Sequence, residues 1–239
     1  MARRVLFIYN DPTAPEALLG AAFSDQGFDV DIFSAVPAEH VQEPARQVRF
    51  PDPLDYDVVV PLGSRFSVHD QALRDTWVGG EMAMVRDAVE AGVGVLGVCF
   101  GGQLVAQALG GTVGRSGTPE VGWYAVESSV PFLAAGPWFQ WHSDRWTVPP
   151  GAVEIARNAN ASQAFVSGSA LALQFHPELD RPLLEVWLAN DADGDVPRLR
   201  LDVGELRRRT DAEQDAAVER LGSLVSGFLS HVVPGKVPR

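Results

Sequence analysis

The sequence predicts an α/β fold with a mostly parallel central sheet and an added hairpin region. Two observations carry the parallel part. Short apolar runs alternate with helix-period segments through the first hundred residues, and the residues able to do chemistry fall just after those runs, where parallel strands present their carboxyl ends. A third observation carries the hairpin region. After Gly111 the helical periods give way to closely spaced strand-like segments separated by turn residues.

Val5-Leu6-Phe7-Ile8-Tyr9 reads as a buried strand stopped by Asn10-Asp11-Pro12, followed by a helical pattern from about Ala14 to Gln26. Phe28 to Phe33 alternates as a second strand, and Asp57 to Val60 makes a third that runs into Pro61-Leu62-Gly63-Ser64. Trp77 to Ala91 is helical despite Gly79-Gly80, and it leads into the strand Gly92 to Val98. Gln103 to Leu109 is a helix closed by Gly110-Gly111. Trp123 to Glu127, Phe139 to Trp141, Glu154 to Ala156, Gln163 to Val166 and Ala170 to Phe175 are short strand candidates. Arg181 to Ala189 returns to a helical period. Glu213 to Val232 is an amphipathic terminal helix, within a helical extension of about 205–233 on what reads as one domain over 1–239.

Composition narrows the function. With 239 residues the chain can bury a substantial core. A net charge of −12 argues against a nucleic-acid partner. No apolar run approaches a membrane span, and the run after Met1-Ala2-Arg3-Arg4 is too short for a signal-peptide core. Arg3-Arg4 is read as the solvated start of a strand rather than an export signal. One cysteine makes no internal disulfide, so the expected compartment is the cytoplasm. Asp191-Ala192-Asp193-Gly194-Asp195 invites comparison with a calcium loop but lacks its spacing and terminal Glu, so no metal and no cofactor is expected.

That cysteine lies in Gly97-Val98-Cys99-Phe100-Gly101-Gly102-Gln103, a strand-to-helix corner flanked by glycines. The layout is that of a nucleophile elbow with sulfur in place of oxygen. Glycines allow the close backbone approaches of a sharp turn, and the following helix N-terminus favours thiolate. Against this stands the ordinary role of a lone cysteine as a small buried hydrophobe. The elbow nominates a nucleophile; a base must come from elsewhere.

Of His40, His69, His142, His176 and His231, His176 stands out. His40 lies in a polar loop and His231 in the terminal helix, where surface roles are the default. His176 ends a strand in Gln174-Phe175-His176-Pro177-Glu178, and in extended chain residues two apart share a face. Pro177 favours extended geometry at His176. Glu178 can then accept one ring N–H and leave the other nitrogen free for the thiol proton. By itself such a His-Pro-Glu also serves as a capped turn.

Together, Gly-Val-Cys-Phe-Gly-Gly-Gln and the Gln-Phe-His-Pro-Glu segment, whose histidine follows Cys99 by 77 residues, resemble the class I (triad type) glutamine amidotransferase family. The likeness extends over most of residues 5–189. Pro61-Leu62-Gly63-Ser64 resembles the family's oxyanion turn, Pro119 to Trp123 its segment after the nucleophile helix, and Trp141-His142-Ser143-Asp144 its His-x-Asp turn. The most similar subgroup comprises free-standing proteins like the glutaminase domain of GMP synthase; plant γ-glutamyl peptidases belong to the same broad group. The resemblance implies a three-layer flavodoxin-like fold and hydrolysis of a γ-glutamyl amide, glutamine foremost, through a thioester on Cys99. It implies His176 as base and acid, Glu178 as its orienter, backbone N–H groups of Gly63 and Phe100 as oxyanion donors, and Gln103 and His142 as substrate-placing residues. Gln103 facing solvent and His142 capping a hairpin are the plain alternatives.

Two departures from the family pattern matter. The usual Gly-Gly-Pro of the oxyanion turn is Leu62-Gly63-Ser64, so the donor assignment rests on Gly63. No synthetase or phosphate-binding glycine loop is recognisable, so any ammonia acceptor is expected on a separate synthetase or ligase subunit. Competing readings are a γ-glutamyl peptidase acting on peptides or conjugates, a member of the elbow-cysteine peptidase, chaperone or glyoxalase-like superfamily, and a silent regulatory module.

Overall fold

A computed structural model describes residues 2–191 and 194–233. Five strands make the parallel part: β1 (Arg3–Tyr9), β2 (Phe28–Ser34), β3 (Val58–Pro61), β4 (Gly94–Val98) and β9 (Ala170–Leu173). The added part is β5 (Val113–Ser128), β6 (Gly136–Trp146), β7 (Val153–Arg157) and β8 (Ser162–Ser167). They form one nine-stranded sheet in the order β2-β1-β3-β4-β9-β8-β7-β5-β6. The first five are parallel neighbours, and every pairing from β9 outward is antiparallel. The parallel order is the flavodoxin-like one, with its switch point at β1 and β3.

β1, β3, β4 and β9 are apolar on both faces because helices cover both, whereas the edge strand β2 alternates and leaves Asp29 and Ile32 exposed. Val5 and Phe7 of β1, with Val58 and Val60 of β3, face a core closed by α1 (Ala17–Asp25) and α7 (Val203–Gly227). Leu6, Ile8 and Val59 face the opposite core, closed by α3 (Gly79–Glu90) and α4 (Phe100–Ala108). That alternation makes three layers from period-2 chemistry. A third core lies between the β5–β6 hairpin, α5 (Arg181–Asn190) and α7, built on Trp123, Phe139, Leu183 and Leu206. A short α6 (Asp195–Arg198) precedes α7. No helix among the described residues is long and apolar enough to cross a membrane.

Several boundaries differ from expectation, each for a local reason. Helical structure begins at α2 (Gln71–Leu73), well before Trp77, because the Asp70 side chain accepts from the N–H groups of Ala72 and Leu73. A π-helical turn over Arg74–Val78 then joins α2 to α3. α7 begins at Val203 rather than Glu213, capped by Asp202, and continues as a π turn over Phe228–Val232. α1 begins at Ala17, three residues beyond the expected Ala14. β5 and β6 are longer than the short segments expected, and Trp141 to Asp144 lies within β6 rather than in a turn. Arg4 pairs with Asp31 on the surface of β1–β2, as a solvated strand start should. Of the Asp191 to Asp195 segment, Ala192 and Asp193 fall outside the described residues. Its flanks are tied to the protein: Asp191 accepts from the N–H groups of Asp195 and Val196, and Asp195 pairs with Arg198.

Candidate active site

Cys99 is the residue between β4 and α4, and its backbone has φ 51° and ψ −107°. A positive φ at a non-glycine residue is strained, and the surrounding packing holds it. A Cβ on Gly101 would lie 1.9 Å from the Pro61 carbonyl oxygen, and one on Gly102 would lie 2.5 Å from that of Leu173. Gly97 is equally crowded, with the Gly101 carbonyl 2.6 Å from where its Cβ would be. These glycines let the first turn of α4 lie directly against β3 and β9. The Cys99 N–H donates to the Leu173 carbonyl (2.8 Å), locking the elbow to β9.

His176 leaves the end of β9 on the same edge of the sheet. Its N–H donates to the Phe139 carbonyl of β6 (2.8 Å), which ties the strand end to the hairpin region. Nδ1 of the ring lies 2.7 Å from Glu178 Oε1, and both side chains are buried. Nε2 is thus the nitrogen left for the thiol, and Cys99 is a hydrogen-bond and charge partner of the ring. Burial opposes charge on the imidazole, but the negative charges of Glu178 and Cys99 prevail and raise its pKa to about 10. Trp187, from α5, packs edge-to-face with the ring, with centroids 4.6 Å apart. Trp187 is itself anchored by donating Nε1–H to the Thr13 carbonyl (2.8 Å).

Gly63 closes the site from the β3 side. A Cβ there would lie 3.1 Å from His176 Cε1 and 3.9 Å from the Cys99 Cβ. Phe100 begins α4, where backbone N–H groups lack intrahelical acceptors. Gln103 is buried and inward-facing rather than solvent-facing: its Nε2 donates to the Asp144 carbonyl (3.3 Å) and to Gln174 Oε1 (3.4 Å). Gln174 in turn directs Nε2 at the Cys99 sulfur (3.9 Å). His142 is buried, with Nδ1 on the Asp144 carbonyl (3.0 Å) and Nε2 3.2 Å from Glu120 Oε2. Glu120 also accepts from Asn158, Asn160 and Gln163. The remaining histidines, His40, His69 and His231, lie outside this cluster; His69 sits at the cleft rim, 3.5 Å from Asp144.

An open cleft with a cavity of about 140 Å³ runs from Cys99 and His176 past Gln103 and His142. Its walls include residues that sequence spacing does not single out. Asp11 and Arg65 form a bidentate ion pair (2.6 and 3.2 Å), and Arg65 also donates to Thr13. Burial favours the neutral acid at Asp11, but the guanidinium and Thr13 outweigh it and lower its pKa. Asp11 follows the end of β1, so the carboxyl-end rule points to it; Trp187, on a helix far along the chain, carries no such signal.

The family model for glutamine amidotransferase class-I matches residues 63–183, which includes Gly63, Cys99, His142, His176 and Glu178. The chain belongs to the class I glutamine amidotransferase family. Among relatives of this amidotransferase domain, the glutamine-hydrolyzing GMP synthase of Thermomicrobium roseum is 41% identical over 112 residues, covering 43% of this chain and 21% of that protein. A glutamine-hydrolyzing GMP synthase subunit of Saccharolobus solfataricus is 31% identical over 134 residues, covering 52% of this chain and 68% of that one. The chain thus spans about a fifth of the first relative and two thirds of the second. The fold matches a crystal structure of a glutamine amidotransferase from Thermotoga maritima with a TM-score of 0.82 and 23% identity, over 96% of this chain and 99% of that one. One from Methylobacillus flagellatus gives 0.81 and 21%, over 97% and 96%.

Proposed function

We propose that this chain hydrolyses the side-chain amide of glutamine through a γ-glutamyl thioester, with Cys99, His176 and Glu178 as the catalytic triad. The observation that carries the reading is the convergence of the strained Cys99 elbow and the His176–Glu178 pair (2.7 Å) at one cleft. The thiol proton is held on His176 Nε2, and the sulfur attacks the amide carbon. Backbone N–H groups of Gly63 and Phe100 hold the oxyanion. His176 returns the proton to the departing nitrogen, which leaves as ammonia. A water then gives its proton to His176 and attacks the thioester carbon. Collapse expels Cys99 and releases glutamate. Glu178 keeps the imidazole oriented and stabilises its charge throughout.

Gln103 and His142 shape the substrate end of the cleft, chiefly by fixing the β6 backbone at Asp144, on which both side chains converge. In this reading residues 1–239 act as one domain, the substrate is a small molecule, and a separate synthetase or ligase subunit receives the ammonia. The Saccharolobus relative, itself one subunit of a GMP synthase, supports the last point. The reaction belongs in the cytoplasm, where a lone thiol stays reduced. A second reading keeps the chemistry and changes the substrate, to that of a γ-glutamyl peptidase acting on peptides or conjugates, because the cleft continues from Cys99 past Trp187 to Asn190 and Asp195.

Glutamate release from glutamine and from γ-glutamyl dipeptides separates the readings. Cys99→Ala is expected to lower the rate by about 10³-fold or more. A variant as active as the wild type would contradict the proposal; turnover of dipeptides with none of glutamine would select the second reading.

A further inference from the structure

Glu81 is fully buried on α3, outside the triad, and its carboxyl meets one hydrogen-bond donor. Asn10, just beyond β1 and also fully buried, donates Nδ2–H to Glu81 Oε1 (3.1 Å) and to the Leu62 carbonyl (3.2 Å). The other atom of each side chain, Asn10 Oδ1 and Glu81 Oε2, is buried without a partner among the described residues. Two orphaned acceptors on a paired amide and carboxyl satisfy each other once the carboxyl carries a proton, since its O–H becomes a donor.

The Leu62 carbonyl and the Gly63 N–H belong to one peptide unit. In a planar trans peptide they point in opposite directions, so a donor fixed on the Leu62 oxygen fixes the direction of the Gly63 N–H. Ser64 Oγ–H adds a second tie by donating to the Asn10 carbonyl (3.0 Å), and Ser64 Oγ accepts from the Phe66 N–H (3.2 Å). One helical turn before Glu81, Trp77 packs on Phe100, the other oxyanion residue, at 5.7 Å between centroids. The π turn and α3 together thus support both sides of the oxyanion site.

We propose that Glu81 is a neutral carboxylic acid which closes a two-hydrogen-bond ring with the Asn10 amide, and that this pair holds the Leu62–Gly63 peptide in its oxyanion-binding direction. Glu81 and Asn10 are positioning residues, and the catalytic part of the inference rests on the function proposed above. Burial favours the neutral acid and outweighs the Asn10 hydrogen bond, which favours the anion; the pKa rises to about 8. No charged side chain contributes to that rise.

The direct test is the Gly63 amide resonance in ¹⁵N-labelled Cys99→Ala protein, followed from about pH 6 to about pH 10. A component titrating near pH 8 is expected beside that of the adjacent His176 ring, and it alone should vanish when Glu81→Gln is added, because an amide keeps both hydrogen bonds and cannot ionise. That component in both proteins, or in neither, overturns the proposal. Kinetics give an independent arm. Glu81→Leu should lower kcat for glutamine by about 10–10²-fold with KM and Cys99 alkylation by iodoacetamide within about threefold. Glu81→Gln should restore kcat and sustain it above pH 8. A wild-type kcat in Glu81→Leu, or kcat and alkylation falling together, contradicts the positioning role. Wild-type protein that hydrolyses no γ-glutamyl amide would sink the proposed function, and the resonance titration would still decide the state of Glu81.

Discussion

Val98 and Leu173 face each other across the parallel pair β4–β9. Because parallel strands end on the same edge, the residues that follow each partner emerge together. Cys99 follows Val98, and Gln174 and His176 follow Leu173. A register fixed by burial on both faces therefore brings together two segments far apart in the chain.

That register depends on α4 lying against its neighbours. Gly101→Ala places a methyl 1.9 Å from the Pro61 carbonyl, a backbone atom that cannot swing aside. The expected cost is about 3 kcal/mol or more. Gly117→Ala meets nothing within 4 Å and should be neutral. Thermal unfolding checks both, at roughly 2–4 °C per kcal/mol for a chain of this size. Unfolding of Gly101→Ala at the wild-type temperature would contradict the packing argument.

Glu178 sets the charge of His176. Since the folded pKa is raised to about 10, the stabilisation is fully present below the ordinary histidine value of about 6.5 and lost as pH rises through 10. Glu178→Gln removes the main attraction and should move the alkaline limb of Cys99 alkylation to lower pH. Turnover should fall by about 10²–10⁴-fold. An alkylation profile unchanged by the substitution would show that the pair does not govern the imidazole.

Glu120 is a hub that supports His142 from beneath. Burial favours its neutral form, yet the His142, Asn160 and Asn158 donors prevail and lower its pKa. Its contribution is present above the ordinary carboxylate range and lost as pH falls through the folded value. Glu120→Gln should cost about 2–4 kcal/mol in urea unfolding at neutral pH, with a smaller difference in acid. Equal differences at both pH values would argue against an ionised hub.

Trp123 Nε1 donates to Thr210 Oγ1 (3.0 Å), a buried bond between β5 and α7. If the C-terminal helix is part of one domain, calorimetry should show a single transition. Thr210→Val should lower that transition as a whole, by about 1–3 kcal/mol. Two separated transitions would contradict a single unit.

The proposed triad is legible in the sequence because its determinants are local. Glycines crowd Cys99 within a few residues, and His176 and Glu178 share a face at period two. The parallel half is legible for a related reason: apolar runs buried on both faces need no partner to be recognised. The supports are not, because Asn10, Leu62 and Glu81 come from three separate elements and no spacing links them. The length of β5 and β6 is also hidden, since polar residues such as Gln140 and His142 are buried there by partners that only the tertiary fold supplies. Caps at Asp70 and Asp202 are readable, but Gly79-Gly80 in the first case and exposed charge in the second draw the expected boundaries inward.

The proposed hydrolysis passes through an acyl-enzyme on Cys99. Rapid mixing with glutamine, acid quench and intact-protein mass spectrometry, with any separate subunit included, tests it most directly. The chemistry predicts an added γ-glutamyl group that maps to Cys99 during turnover and is absent in Cys99→Ala. Glutamate release with the thiol unmodified at every time point, or the same adduct in Cys99→Ala, would contradict it.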